Sequence, residues 1–308
     1  MSDSITFKSP AKVNYFLKVG EKLPNGYHKI ATVMCAVSLY DQISLTFEGK
    51  GIKIESNDPK VPRGPSNTVF RAAQILLREA KIAQNDIGIK LAIHKNIPLE
   101  AGLGGASSNA ASTMLKLNEH LNLNLPLDKL LSIGNEVGSD VPFFIFGSPA
   151  LVTGVGEKVE TIGGIPKTWV VIVKPPSSVS TKLAYKIIDL GLTSIKKSTI
   201  IPTFNGTLKG LADKMENDFE SVIGIETNGE IKDKNVGAFV SEKESIYLPE
   251  MGLIKKELER FGSLKTMLSG SGSSVFGIFE NRDEAETASK DIRSNHDWSV
   301  FLAQNLFY

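Results

Sequence analysis

The chain has 308 residues, 41% of them hydrophobic and 22% charged, with a formal net charge of +1. That length suits one large or two ordinary domains; the near-neutral charge argues against a general nucleic-acid binder, and a single cysteine, Cys35, excludes an internal disulfide and a cysteine-built metal site. The first residues lack the apolar run of a signal peptide, and no apolar stretch reaches the roughly 20 residues of a membrane span, so a cytoplasmic protein is expected.

In chain order, residues 13–19 and 43–47 read as strands. Asn67 reads as the N-cap of a helix running to about Lys81, with Val69, Ala73, Leu76 and Ala80 on one face. Ile87, Ile89, Leu91 and Ile93 then alternate with Gly88, Lys90, Ala92 and His94, the period of a strand. Residues 97–112 pass from small residues through the hydroxyl pair Ser107-Ser108 into a helix-forming run, where Ala110, Ala111, Met114, Leu115, Leu117 and Leu121 recur at helical spacing. Strand, glycine loop and helix in that order make a phosphate cradle: glycines let backbone N–H groups approach an anion, and the helix aims its positive end at the same place. No Gly-Lys-Ser/Thr closes the loop, and its glycine spacing is not that of a dinucleotide fingerprint. A linker rich in small residues is the plainer reading, disfavoured by the strong periodicity on both sides.

Further along, a helix at 128–137 ends before Gly138-Ser139-Asp140, and in the apolar run 141–146 Pro142 suggests the edge or start of a strand. The glycine-rich segment 154–167 is the expected crossover between domains. Residues 169–173 read as a buried strand stopped by Pro175-Pro176, 194–210 as polar and irregular, and 211–222 as a helix carrying Asn217-Asp218. Residues 224–247 lack periodicity and read as an exposed insertion. A helix at 250–261, a second glycine loop Leu268-Ser269-Gly270-Ser271-Gly272-Ser273-Ser274, a strand at 275–279 and a helix at 283–293 complete the chain.

Four places could carry chemistry. The second glycine loop is either a tight turn or a second anion-binding loop wrapping the same polyphosphate. Asp140, at a helix end, either caps a turn or accepts a proton from a substrate hydroxyl, and spacing alone leaves the two equal. Lys12 is an ordinary solvated charge unless it lies near Asp140, where it could hold the carboxylate ionised. Tyr27 and His28, after the turn Pro24-Asn25-Gly26, either form a surface hairpin tip or line a pocket for a planar group.

Together these residues resemble a known family. Ser9-Pro10-Ala11-Lys12-Val13-Asn14, the loop at 98–111 and the stretch 268–279 look like the three motifs of the GHMP kinases. Asn25-Gly26-Tyr27-His28, Gly138-Ser139-Asp140-Val141-Pro142-Phe143-Phe144 and Asn217-Asp218-Phe219-Glu220 narrow the resemblance to the branch acting on a cytidine diphosphate ester of methylerythritol, in the methylerythritol phosphate route to isoprenoids. The resemblance implies an α+β, two-domain fold: an N-terminal ribosomal S5 domain 2-like nucleotide-binding domain at 1–160, an α/β-plait-like substrate domain at 161–308, and the active site in the cleft between. It implies ATP- and Mg2+-dependent phosphorylation of the ester's 2-hydroxyl, with Asp140 as general base and Lys12 beside it. Pro98, Leu99, Gly102, Leu103, Gly104, Gly105, Ala106, Ser107 and Ser108 would wrap the ATP phosphates, and Asn67 and Lys95 would build the nucleoside pocket. Asn14 would hold the acceptor near Asp140, Tyr27 and His28 would contact its cytidine, Tyr185 would stack on the base, and Ser269, Gly270 and Gly272 would approach its phosphates.

No side chain is assigned to a metal, and no partner beyond the small-molecule substrate is implied: no nucleic acid, no membrane, and a monomer or weak homodimer. Glu100, Ala101 and Ala106 stand where many relatives have glycine, and Glu100 is expected to face solvent; 224–247 is longer than the family usually has. The alternatives are another small alcohol as acceptor (homoserine, mevalonate or a sugar), a non-catalytic ligand sensor, and an RNA-binding protein, since a ribosomal domain shares the N-terminal fold.

Overall fold

The computed structural model describes residues 4–189, 201–223 and 248–308. The chain opens with a long antiparallel hairpin, β1 (Ser4–Lys22) and β2 (His28–Thr46), whose register slips beside Pro10 and Asn14. Alternation along β1 sends Ala11, Val13 and Tyr15 to one face and Lys12 and Asn14 to the other.

β3 (Gly51–Ser56), α1 (Thr68–Glu79) and β4 (Gly88–His94) form a parallel βαβ unit, in which Asn67 caps α1 by accepting from the Val69 N–H. α2 (Gly105–His120), α3 (Leu127–Val137) and α4 (Val141–Phe146) follow, then the strand pair β5 (Ala150–Gly154) and β6 (Lys158–Thr161). After β7 (Trp169–Lys174) come α5 (Thr181–Asp189), α6 (Leu208–Ala212), the two-residue β8 (Glu216–Asn217) and α7 (Phe219–Ile223). α8 (Met251–Arg260), β9 (Lys265–Leu268), β10 (Val275–Phe279), α9 (Arg282–Asn295) and β11 (Ser299–Gln304) close the fold.

The strands make two sheets. The first runs β3-β4-β2-β1-β8, with β5 also on β2; the second runs β11-β7-β10-β9. One core lies between the first sheet and α1–α4, and another under the helices of the second sheet. A third joins the sheets: Val13, Tyr15 and Val33 meet Val170, Ile172 and Phe276, with Ile97 and Leu103 of the first glycine loop sealed in. Lys12 and Asn14 therefore lie on the opposite face, toward α2. Among the described residues no helix is long and apolar enough to cross a membrane.

Several expected elements differ. Residues 141–146 are helix, not strand: Pro142 in a first turn costs no hydrogen bond, and Val141, Phe143 and Phe144 are buried, so the run has no face to read. The helix expected at 211–222 is broken into α6, β8 and α7, because Asn217 Oδ1 takes the Phe219 N–H and the Asp218 N–H pairs with Leu17 O of β1. Within 154–167, residues 158–161 are a strand of the first sheet, and only 162–168 span to β7. Leu115, expected on the buried face of α2, is exposed. The strands β3, β5, β9 and β11 carry no signal that the sequence reading used, and the insertion expected at 224–247 lies outside the described residues.

Candidate active site

The first glycine loop leaves β4 and enters α2 through Gly104, a left-handed N-cap (φ 69°) with no side-chain cap and no acid in the first turn. The amides of Gly105, Ala106 and Ser107 thus have no partner within the helix and are available to an anion. A Cβ at Gly104 would lie 3.0 Å from Lys12 Cγ and from the Phe144 ring, so glycine is what lets the lysine approach. A Cβ at Gly102 (φ 72°) would be driven into the Ser269 carbonyl. The two glycine loops, 167 residues apart, in fact touch: Ser269 Oγ donates to Gly102 O at 2.9 Å and the Ser274 N–H to Ala101 O at 3.2 Å.

These loops wall a cavity of about 530 Å³ that also contains Lys12, Asn14, Thr32 and Asp140. Lys12 is only 3% exposed, and its Nζ donates to Asn14 Oδ1 at 2.6 Å. Asn14 Nδ2 donates to Thr32 Oγ1 at 2.8 Å, which donates to Phe16 O at 2.7 Å, so a relay across the hairpin fixes which way the amide faces. Burial pushes the Lys12 ammonium below its ordinary pKa, and the charge of Asp140 opposes that shift. Asp140 is the N-cap residue of α4 yet makes no capping bond, and its carboxylate has no hydrogen bond or ion pair among the described residues. The turn-cap reading is thereby removed.

A second cavity of about 580 Å³ adjoins the first and shares Ile30, Asp140, Thr181 and Tyr185 with it. Tyr27 and His28 line its far end. Tyr27 is exposed, whereas His28 is buried and stacked on Tyr185 with centroids 5.2 Å apart and planes at 23°. Asp189, one turn beyond Tyr185 on α5, lies 3.0 Å from His28 Nε2 and pairs with Lys22. Burial, with Asp140 adding, pushes the Tyr185 hydroxyl up to about 12.

Not every expected residue faces these cavities. Ser269 is buried and joins the loops, while its neighbours Gly270, Ser271 and Gly272 line the first cavity. The Ser108 hydroxyl bonds Ser9 Oγ at 2.7 Å inside the core, leaving Ser107 as the half-buried hydroxyl beside Gly138. Asn67 divides its amide between the Val69 N–H and Pro62 O. Lys95 pairs with the fully buried Asp41, beside Gly105. Glu100 is exposed and stands at the wall of the first cavity. Sequence reading passed over Thr32, Asp41, Thr181 and Ser271; only Ser271, inside a glycine loop, had a signal that could have flagged it.

Backbone amides without a helical partner, a buried lysine and a carboxylate that makes no hydrogen bond among the described residues, all at one cavity, are what phosphoryl transfer to an alcohol asks of a protein. Residues 67–148 match the model of the GHMP kinases N terminal domain and residues 240–297 that of the GHMP kinases C terminal. Fold and site together thus define a GHMP kinase, a class that uses ATP. The chain is 38% identical over 300 residues to the 4-diphosphocytidyl-2-C-methyl-D-erythritol kinase of Syntrophotalea carbinolica, covering 97% of this chain and 98% of that one. It is 37% identical over 304 residues to the enzyme of the same name from Geobacter metallireducens, covering 98% and 99%. A crystal structure of 4-(cytidine 5'-diphospho)-2C-methyl-D-erythritol kinase superposes with a TM-score of 0.73 at 26% identity, over 98% of this chain and 99% of that one. The chain belongs to the 4-diphosphocytidyl-2-C-methyl-D-erythritol kinase family.

Proposed function

We propose that the protein transfers the γ-phosphoryl group of ATP to the 2-hydroxyl of 4-diphosphocytidyl-2-C-methyl-D-erythritol, giving the 2-phosphate and ADP. The observation that carries the mechanism is the Asp140 carboxylate, without a hydrogen bond or ion pair among the described residues and shared by the glycine-loop cavity and the aromatic cavity. Asp140 takes the proton of the acceptor hydroxyl as that oxygen attacks the γ-phosphorus and the bond to the β,γ-bridging oxygen breaks. Lys12 and the amides at the start of α2 stabilise the negative charge on the transferring group. Asn14, held by Thr32, orients Lys12.

The aromatic end suits a cytosine base, with Tyr185 as its platform and Tyr27 and His28 around it. A small aliphatic acceptor such as homoserine or mevalonate would leave that end without use. Among the described residues no three metal-ligating side chains cluster, so there is no all-protein cage. Ser107, the half-buried hydroxyl at the start of α2, is the side chain that would hold a magnesium ion whose other ligands would be waters and phosphate oxygens. Bound there, Mg2+ would neutralise phosphate charge.

A kinase assay with this acceptor, its product identified by phosphorus NMR, tests the reading. Homoserine, mevalonate and a sugar serve as comparison acceptors, and ATP consumption dependent on the acceptor excludes a binding module. Asp140→Asn should bind ATP as the parent does and lose transfer by about a hundredfold or more. Equal turnover in that variant would remove Asp140 from its role.

A further inference from the structure

The tetrapeptide Asn217-Asp218-Phe219-Glu220 has no place in the chemistry above, and of its residues only Phe219 lines either active-site cavity. Its polar side chains all bond backbone, and Asp218 also pairs with Lys18 at 3.0 Å and Glu220 with Lys255 at 2.8 Å. β8 runs parallel to β1; the Asp218 N–H donates to Leu17 O at 3.0 Å, and Asp218 Oδ2 accepts the Val19 N–H at 2.8 Å. The tetrapeptide is thus moored to the strand that carries Lys12 and Asn14. From that mooring Asn217, buried, reaches the second glycine loop: Nδ2 donates to Leu268 O and to Gly270 O, both at 2.8 Å. Oδ1 accepts the Phe219 N–H at 3.0 Å. The amide can face no other way, since its oxygen would otherwise meet two carbonyls. Glu220 Oε1 accepts the Leu268 N–H at 2.7 Å, gripping the other side of the same residue.

What this grip holds is the end of the loop that faces the cavity. A Cβ at Gly270 would lie 3.1 Å from Lys12 Nζ, so the loop backbone and the lysine are neighbours. The amides of Gly270 and Ser271 make no hydrogen bond among the described residues, while the Gly272 N–H turns back to Ser269 O at 2.9 Å. Ser271 Oγ bonds Thr181 Oγ1 at 2.6 Å, at the start of the helix that carries Tyr185. Gly270 and Ser271 line the first cavity together with Tyr185 and Asp140, the cavity a diphosphate must pass if it joins a base at one end to a reacting hydroxyl at the other.

We infer that Asn217 is a positioning residue, which sets the free amides of the second glycine loop against Lys12 to receive the diphosphate of the acceptor. This rests on the acceptor proposed above. Its signature is selectivity: disturbing Asn217 weakens binding of the diphosphate and leaves the nucleoside and ATP alone.

Asn217→Asp is the direct test. It keeps size and the Oδ1 acceptor for Phe219, but sets a carboxylate oxygen against the Leu268 and Gly270 carbonyls. Affinities for CDP and for cytidine are measured by calorimetry on the full chain, with KM values for acceptor and ATP alongside. CDP affinity should fall and acceptor KM rise by about tenfold, as expected for two disrupted hydrogen bonds. Cytidine affinity and the KM for ATP should stay within about twofold, the change expected when no hydrogen bond to them is lost. Equal losses for CDP and cytidine, or no loss for either, overturn the inference. Should Asn217→Asp fail to fold, Asn217→Ser, neutral and too short to bridge both carbonyls, carries the same comparison. If the parent protein itself fails to bind CDP or to turn over the acceptor, it is the proposed function that has failed.

Discussion

Asp41 lies under the first glycine loop, and its replacement by Asn separates fold from chemistry. Its carboxylate is fully buried and accepts from Lys95 Nζ, from the Asn96 and Ile97 amides at 2.8 Å each, and from Asn109 Nδ2 at 2.9 Å. In Asp41→Asn one oxygen keeps the two backbone donors, but the new amide nitrogen faces Lys95 and Asn109, donor against donor. Lys95, with a side chain only 6% exposed, keeps a buried charge without its counter-charge. Removing one partner of a buried pair costs about 3–5 kcal/mol, a large part of the roughly 5–15 kcal/mol that holds a domain folded. With a urea slope near about 3 kcal/mol/M, the unfolding midpoint should fall by about 1–1.7 M. Replacing Lys95 by Met in the same chain removes the stranded charge and should recover most of the loss. A midpoint shift under about 0.3 M, or a double variant as weak as the two singles added, would refute the reasoning.

The loop contact is testable at Gly102, where alanine strains a left-handed backbone and pushes the loops apart. Gly102→Ala should lower both melting temperature and kcat/KM, with a backbone cost of about 1–3 kcal/mol before any clash; unchanged kinetics would mean that the loops need not touch. Tyr185→Ala should raise the KM for the cytidyl acceptor about five- to a hundredfold, the range of one base–aromatic stack, with the KM for ATP nearly constant; equal effects on both would end the platform role. For Lys12, burial lowers the folded pKa below the unfolded one. The unfolded chain then holds more protons across that window, so this group makes the fold more stable as pH rises through it, while activity that needs the ammonium falls. The alkaline limb of kcat/KM should lie below the ordinary lysine value, with no contribution from Tyr185 until about 12. A limb at or above the ordinary lysine value would contradict the burial argument.

The local elements were largely written in periodicity. The alternation from Ile87 to Ile93, the Asn67 cap and the helical spacing after Ser107 each report a single strand or helix whose one buried face repeats at its own period. Segments buried on every side carry no such signal, which is why Val141 to Phe146 read as strand and formed helix. Side chains that bond backbone elsewhere are equally silent: Asn217 in a helical pattern gives no sign that it will hold a loop 51 residues away.

The amino-acid sequence by itself determined the parts of the site: two glycine loops, a lysine, an acid and an aromatic trio. It supplied the means of the chemistry, glycines that an anion can approach and one carboxylate, while leaving Asp140 open between cap and base. Only the tertiary structure decided which of those parts meet. The hairpin's alternation turned Lys12 toward α2, the meeting of two sheets laid one glycine loop on the other, and the absence of a capping bond at α4 left the Asp140 carboxylate to the cavity rather than to the helix end. These are long-range contacts, settled by how whole faces bury against one another, and no local pattern in the chain encodes them.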